Sequence, residues 1–108
     1  MTELNLEDQA QSLTELVQYQ PGSVVSRTLL SKSTGSVTLF AFDKGQNLSE
    51  HTAPYDALVY AVDGELEITI AGDRRQVSCG DILLIPANKP HAVYASSQSK
   101  MLLIMVRD

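Results

Sequence analysis

His51 and His91 are the only histidines in the 108-residue chain, and they sit in related settings. The first lies in GQNLSEHTAPYDALVYAVDG, from Gly45 to Gly64, and the second ends GDILLIPANKPH, from Gly80 to His91. Each stretch opens on a glycine and passes through residues of strand character to its histidine. An imidazole can ligate a transition metal or hydrogen-bond a small polar ligand, and it can also be a rim residue with neither duty. A catalytic metal usually takes three protein ligands, and an anionic carboxylate offsets its charge in a poorly solvated cavity. The nearest carboxylates in sequence to His51 are Glu50 and Asp56. Alternate residues of a strand share a face, so His51, Ala53, Tyr55, Ala57 and Val59 fall on one side, with Glu50 and Asp56 on the other. Pro54 cannot donate to a strand ladder and could break that alternation, letting Asp56 join the histidines as a third ligand. The competing reading of Asp56 is a solvated carboxylate at a strand edge or turn.

The elements that must position these residues are strands. SVVSRTLL, SVTLFAF, ALVYAV, ELEITI, RQVSC, DILLIP, HAVYA and MLLIMVR are rich in β-branched and aliphatic residues. Turn residues punctuate them at Ser33-Thr34-Gly35, Asp43-Lys44-Gly45, Asp63-Gly64, Gly72-Asp73, Gly80-Asp81, Asn88-Lys89-Pro90 and Ser96 to Ser99. Gly72-Asp73 between two alternating runs is a hairpin signal. Helical character is confined to the start, where Ser12-Leu13-Thr14-Glu15 has the form of a capping box. An apolar stripe of Leu13, Leu16 and Val17 follows, and Pro21-Gly22 ends it. Val37 to Phe42, Ala57 to Val62, Ile82 to Ile85 and Met101 to Val106 are apolar at both parities, so each needs a cover on both faces. One cover is the interior; the other is the N-terminal segment or a second subunit. Residues 1–108 read as a single domain, with 1–22 an N-terminal segment and 23–107 a sandwich or barrel.

The two histidine-bearing stretches resemble the paired motifs of the cupin family, small β-barrels. The first of those motifs reads G-x5-H-x-H-x3-E-x6-G, and Gly45, His51 and Gly64 match it. The second reads G-x5-P-x-G-x2-H-x3-N, and Gly80, Pro86 and His91 match it. The departures are Ala53 for the first motif's second histidine, Ala57 for its glutamate, Asn88 for the second motif's inner glycine and Ala95 for its asparagine. The resemblance implies an all-β, jelly-roll-like double-stranded β-helix of the conserved-barrel group, with a short N-terminal helical segment. In cupins three histidines and a glutamate on the barrel interior hold Mn, Fe, Ni, Zn or Cu. This chain keeps half of that set, so a divalent transition metal (Zn, Ni, Fe or Mn) is expected to bind weakly or not at all.

Two functions remain open. One is a barrel that holds a small polar or anionic molecule in a pocket formed by His51, Ala53, Tyr55, Ala57, Val59, His91 and Met105, with the histidines as hydrogen-bond donors and the alanines leaving volume. The other is a metal-dependent enzyme of dioxygenase or isomerase type with His51, His91 and Asp56 as ligands. The fold hosts many chemistries and does not name a substrate. Thirteen acidic against eight basic residues, a net charge of −5, argue against nucleic acid or an anionic membrane surface as partner. No apolar run approaches the roughly 20 residues of a membrane helix. The polar, acidic start is unlike a signal peptide, and the lone Cys79 cannot form an internal disulfide, so a cytoplasmic homodimer is the expectation.

Overall fold

The computed structural model describes residues 5–107. A single 3-10 turn, Leu13–Glu15, precedes nine strands: β1 Val24–Lys32, β2 Gly35–Phe42, β3 Asn47–His51, β4 Asp56–Asp63, β5 Glu65–Ile70, β6 Asp73–Ser78, β7 Ile82–Ile85, β8 His91–Ala95 and β9 Ser99–Val106. They form two antiparallel sheets in the orders β1-β2-β9-β4-β7 and β3-β8-β5-β6. From β2 onward every connection except the β5–β6 hairpin changes sheet, which wraps the chain as a double-stranded β-helix. Eight of these strands are the eight apolar runs of the sequence. The ninth, β3, has only Leu48 as an apolar residue.

Alternation sorts the two faces. Phe42, Val59, Ala61, Leu66, Ile68, Val77, Ile85, Val93 and Met101 close the space between the sheets and are all nearly or fully buried. Ala57 lies with them, and Leu48, Ile70, Leu103 and Met105 pack against this cluster from nearer the ends. Burying a core side chain of this size stabilises by about 1.5–3 kcal/mol, so this interior, rather than any polar contact, is the main source of stability.

On the outside of the five-stranded sheet, Leu39 and Ala41 are covered by Leu16 and Val17, with Leu13, Tyr19, Val62 and Leu102 packed around them. The N-terminal segment therefore supplies one of the two expected covers. Its pins are polar. The Lys100 ammonium donates to the Thr14 carbonyl and stands 4.8 Å from the centre of the Tyr19 ring. Arg27 donates to the Leu16 carbonyl, and the Tyr19 hydroxyl donates to Asp63. Burial, reinforced by the Asp63 carboxylate, pushes the Tyr19 phenol well above its ordinary value. At the Pro21-Gly22 turn the Asp43 carboxylate accepts from the Gly22 amide at 2.7 Å and from Gln98, and chiefly the Gly22 bond holds its pKa below the usual range.

The capping box is not formed. Ser12 makes no side-chain cap and its hydroxyl lies 3.3 Å from that of Thr14. A single 3-10 turn has too few free amides to reward the reciprocal Ser–Glu arrangement.

The segment leaves the rest of that outer face bare. Leu58 faces Leu84 across one strand boundary and Ile104 across the other, and Tyr60 faces Ile82 and Leu102. Leu30, Leu58, Tyr60, Ile82, Leu84 and Val106 are all exposed.

The β5–β6 hairpin turns through Ala71 and Gly72, with φ of 49° and 86°, because Ile70 pairs with Asp73. Positive φ at both central residues is the type I′ pattern, one residue earlier than the Gly72-Asp73 signal suggests. Alanine in the left-handed region costs roughly 1–2 kcal/mol, whereas asparagine tolerates it. Ala71→Asn is expected to raise the urea midpoint and lift stability by about 0.5–1 kcal/mol. An unchanged midpoint would place Ala71 outside this region in solution.

Candidate functional site

His51 ends β3 and His91 begins β8, and the two are direct partners in the ladder. On β8 the core residues Val93 and Ala95 share the parity of His91, and Ile70 of the core cluster is its partner on β5, so His91 faces inward. A register shift between Leu48 and His51 brings the first histidine opposite the second. The ring centres are 4.3 Å apart with planes at 61°, an edge-on pair. His91 is half-buried and His51 exposed, which puts the pair at the mouth of the barrel, the inner ring against the core and the outer one toward solvent.

Both rings are anchored alike. His51 Nδ1 lies 2.8 Å from the carbonyl oxygen of Ser49, and His91 Nδ1 lies 3.0 Å from that of Lys89, each two residues back in the chain. A carbonyl only accepts, so the ring nitrogen facing it is the donor. The expectation that the rings donate to a ligand is thereby reversed for the neutral form. Its Nδ1–H is committed to the backbone, and what the ring offers is the Nε2 lone pair.

The mouth is closed on its other side by two connections. The β3–β4 link, residues 52–55, and the β7–β8 link, residues 86–90, are tied by the Asn88 amide donating to the Ala53 carbonyl at 2.8 Å. Asn88, where the cupin motif has glycine, carries the left-handed conformation itself, with φ of 66°. His51 to Val59 is therefore not one regular strand. It is interrupted at Pro54, and the exposed His51 and the buried Val59 belong to different sheets. Ala57 is buried and pairs with Met105, itself packed on the core. Ala53 is half-buried in the link, and Tyr55 is turned under Arg107, whose guanidinium stands 5.2 Å from its ring centre.

Asp56 does not join the histidines. Its carboxylate accepts from the Ala87 amide at 2.9 Å, stapling the two links, and it shares the outward parity of Leu58 and Tyr60. Among the described residues no three of His, Cys, Asp and Glu come together as a metal site. Cys79 is exposed, its thiol donating to the Val62 carbonyl.

The metal that the fold implies can be tested against this donor set. Only the Nε2 atoms of His51 and His91 would be available to hold an ion, since both Nδ1 atoms face backbone carbonyls. Two neutral donors fall short of the three or four that a resident ion takes, and the position of the missing anion is Ala57. Among the described residues no buried side-chain nitrogen or oxygen lacks a partner, so the interior holds no orphaned ligand group. The residues present do not fit a resident catalytic metal.

Two surface depressions lie elsewhere. One of about 900 Å³ runs between the N-terminal segment and β1, and one of about 440 Å³ lies on the outer face of the four-stranded sheet beside Asn47, Glu67, Arg74 and Tyr94. Neither contains a histidine. The site is placed by its chemistry, the only paired imidazoles of the chain, rather than by volume.

A double-stranded β-helix with a histidine from each of two spaced motifs at its mouth defines a class of small barrel. Residues 38–107 match the cupin domain, and the chain belongs to the cupin family. A conserved protein of unknown function from Streptococcus pyogenes is similar along all of this chain and 96% of its own, at 35% identity and a TM-score of 0.90. A cupin superfamily protein from Desulfitobacterium hafniense is 29% identical, with 94% of this chain and 93% of that one covered and a TM-score of 0.89. A cupin conserved-barrel protein from Leptotrichia buccalis is 42% identical over 87% of this chain, which spans 46% of it, with a TM-score of 0.83. Among the described residues no helix is long and apolar enough to cross a membrane.

Proposed function

We propose that this barrel is a small-molecule-binding cupin whose ligand is held at the mouth between His51 and His91, without a resident metal. The observation that carries the reading is the edge-on pair itself, 4.3 Å between ring centres, with both rings fixed by backbone carbonyls and both Nε2 atoms left to a ligand. Anchoring of this kind pre-organises a recognition site, because little side-chain freedom remains to be lost on binding. The alanines at positions 53 and 57 present only methyl groups where the cupin motif has metal ligands. The alternative, an enzyme using His51, His91 and Asp56, is disfavoured by the Asp56–Ala87 bond.

The test is a fragment screen read by ring-proton resonances of metal-free protein. Fragments that bind are expected to move both histidines together and to lose at least tenfold in affinity in His51→Ala. Binders that leave both rings unmoved would put the ligand site elsewhere.

The molecule works, in this reading, as a homodimer through the bare outer face of the five-stranded sheet. Leu58, Tyr60, Ile82 and Leu84 are neighbours across the β4–β7 pair and all exposed, an apolar surface rimmed by strand ends of the kind that marks an interaction site. Light scattering at micromolar concentration is expected to give twice the chain mass, and Ile82→Lys with Leu84→Lys to give the single mass. A single mass for the parent would remove this interface.

A further inference from the structure

From the way the two rings are anchored we infer a ligand class: an uncharged molecule that presents two neighbouring hydrogen-bond donors on a compact apolar body, as a vicinal diol on a ring does. The inference rests on reading the histidine pair as the ligand site. His51 and His91 repeat one device, Nδ1 against the carbonyl of the residue two positions back, at 2.8 and 3.0 Å. In the neutral rings that device leaves two acceptors and no donor. Their ring centres are 4.3 Å apart, so a molecule that meets both acceptors carries its two donors close together.

The surroundings set the rest of the ligand. Ile70 stands beside the inner histidine in the ladder, and Ala57 and Met105 are paired on the facing sheet; all three belong to the apolar interior. An apolar body faces no buried charge there. The carboxylate of Asp56, at the start of β4, is taken by the Ala87 amide, and Glu50 beside His51 is exposed to solvent. A carboxylate ligand meets two lone pairs in the neutral rings, in a chain of net charge −5, and is rejected on both counts. The resulting preference is the reverse of an anion site, although the same two side chains form it.

Three probes of one shape separate the possibilities: catechol, with two adjacent donors; 1,2-dimethoxybenzene, with the donors blocked; and benzoate, an anion. Full-length protein is treated with chelator and held under anaerobic conditions in mildly alkaline buffer, with the neutral state of both rings read from the same spectra. Long-range nitrogen–proton correlation is expected to show both rings protonated at Nδ1, and catechol is expected to shift both Nε2 signals. Both blocked probe and anion are expected to bind at least tenfold more weakly. His51→Phe and His91→Phe, which keep a ring of similar girth, are each expected to abolish the difference between catechol and its dimethyl ether. Rings protonated at Nε2, or benzoate binding as tightly as catechol, would overturn the donor-pair inference while leaving the pair a ligand site. Silence of both rings to all three probes would overturn the inference, and silence to the wider fragment screen as well would overturn the underlying reading.

Discussion

Gly64→Ala is expected to cost more stability than any other single-methyl change in this chain, enough to leave the protein largely unfolded. Gly64 joins β4 to β5 where the chain passes from one sheet to the other, with φ of 69°. A Cβ there would lie 2.0 Å from the Gln98 carbonyl oxygen and 2.9 Å from the Ser99 Cα. Those are backbone atoms at the start of β9, and Ser99 is fully buried with its hydroxyl 2.7 Å from the Glu65 carbonyl, so the neighbour has nowhere to go. The left-handed conformation alone costs an alanine about 1–2 kcal/mol. Displacing β9, the strand at the centre of the five-stranded sheet, adds a loss comparable to a large part of the roughly 5–15 kcal/mol that holds a small domain together. Gly80→Ala is the control: its φ is 93°, yet nothing lies within 4 Å of the added carbon. Urea unfolding is expected to show Gly80→Ala down by the conformational cost only and Gly64→Ala without a folded baseline. Equal losses in the two variants would mean that the approach of Gln98 to Gly64 relaxes at little cost.

The same residue illustrates what a sequence can disclose. Gly64 is visible as a turn glycine between two strand-like runs, but the carbonyl that crowds it belongs to Gln98, far along the chain, and has no local signal. The eight apolar runs are legible because strand burial writes itself as aliphatic and β-branched composition. β3 is not legible, since its residues NLSEH present one apolar side chain to the core and the rest to water at the barrel mouth. That blind spot falls on the site itself: the strand carrying His51 is short, polar and shifted in register. The parity argument from His51 through Val59 holds for the inward direction of Ala57 and Val59 and fails between His51 and Asp56, because Pro54 lies where the chain changes sheets. The two readings of Asp56, ligand or strand-edge carboxylate, stay open in the sequence for a related reason. Which amide a carboxylate caps depends on the β7–β8 link, 31 positions away, and nothing local announces that Ala87 will be there. The tautomers of the histidines are equally hidden, since they follow from carbonyls that turn toward the rings only in the folded chain.

If the donor set at the mouth falls short of a metal site because two ligands are alanine, restoring them should restore the metal. Ala53→His with Ala57→Glu is expected to give a protein that holds Zn or Ni stoichiometrically, where the parent is expected to hold it weakly or not at all. Ala57 is inward and buried and its partner is Met105, so a carboxylate introduced there lies within the same interior as His91. Ala53 is in the link adjoining His51, half-buried, and its carbonyl already holds the β7–β8 link through Asn88. The new set would have three imidazoles and one anion, the number and charge that a transition ion takes in a poorly solvated site. Without metal the double variant is expected to be less stable than the parent, because the introduced carboxylate would be buried with no partner. With metal at a hundred times its Kd, the folded state gains about 2.7 kcal/mol, so melting temperature becomes steeply metal-dependent in the variant and stays nearly flat in the parent. Adding His91→Ala to the double variant should abolish that dependence, which ties the gain to the pair rather than to the new residues alone. A folded double variant whose melting temperature and metal content match the parent's would show that positions 53 and 57 do not flank the histidines, and the account of the mouth would fall with it.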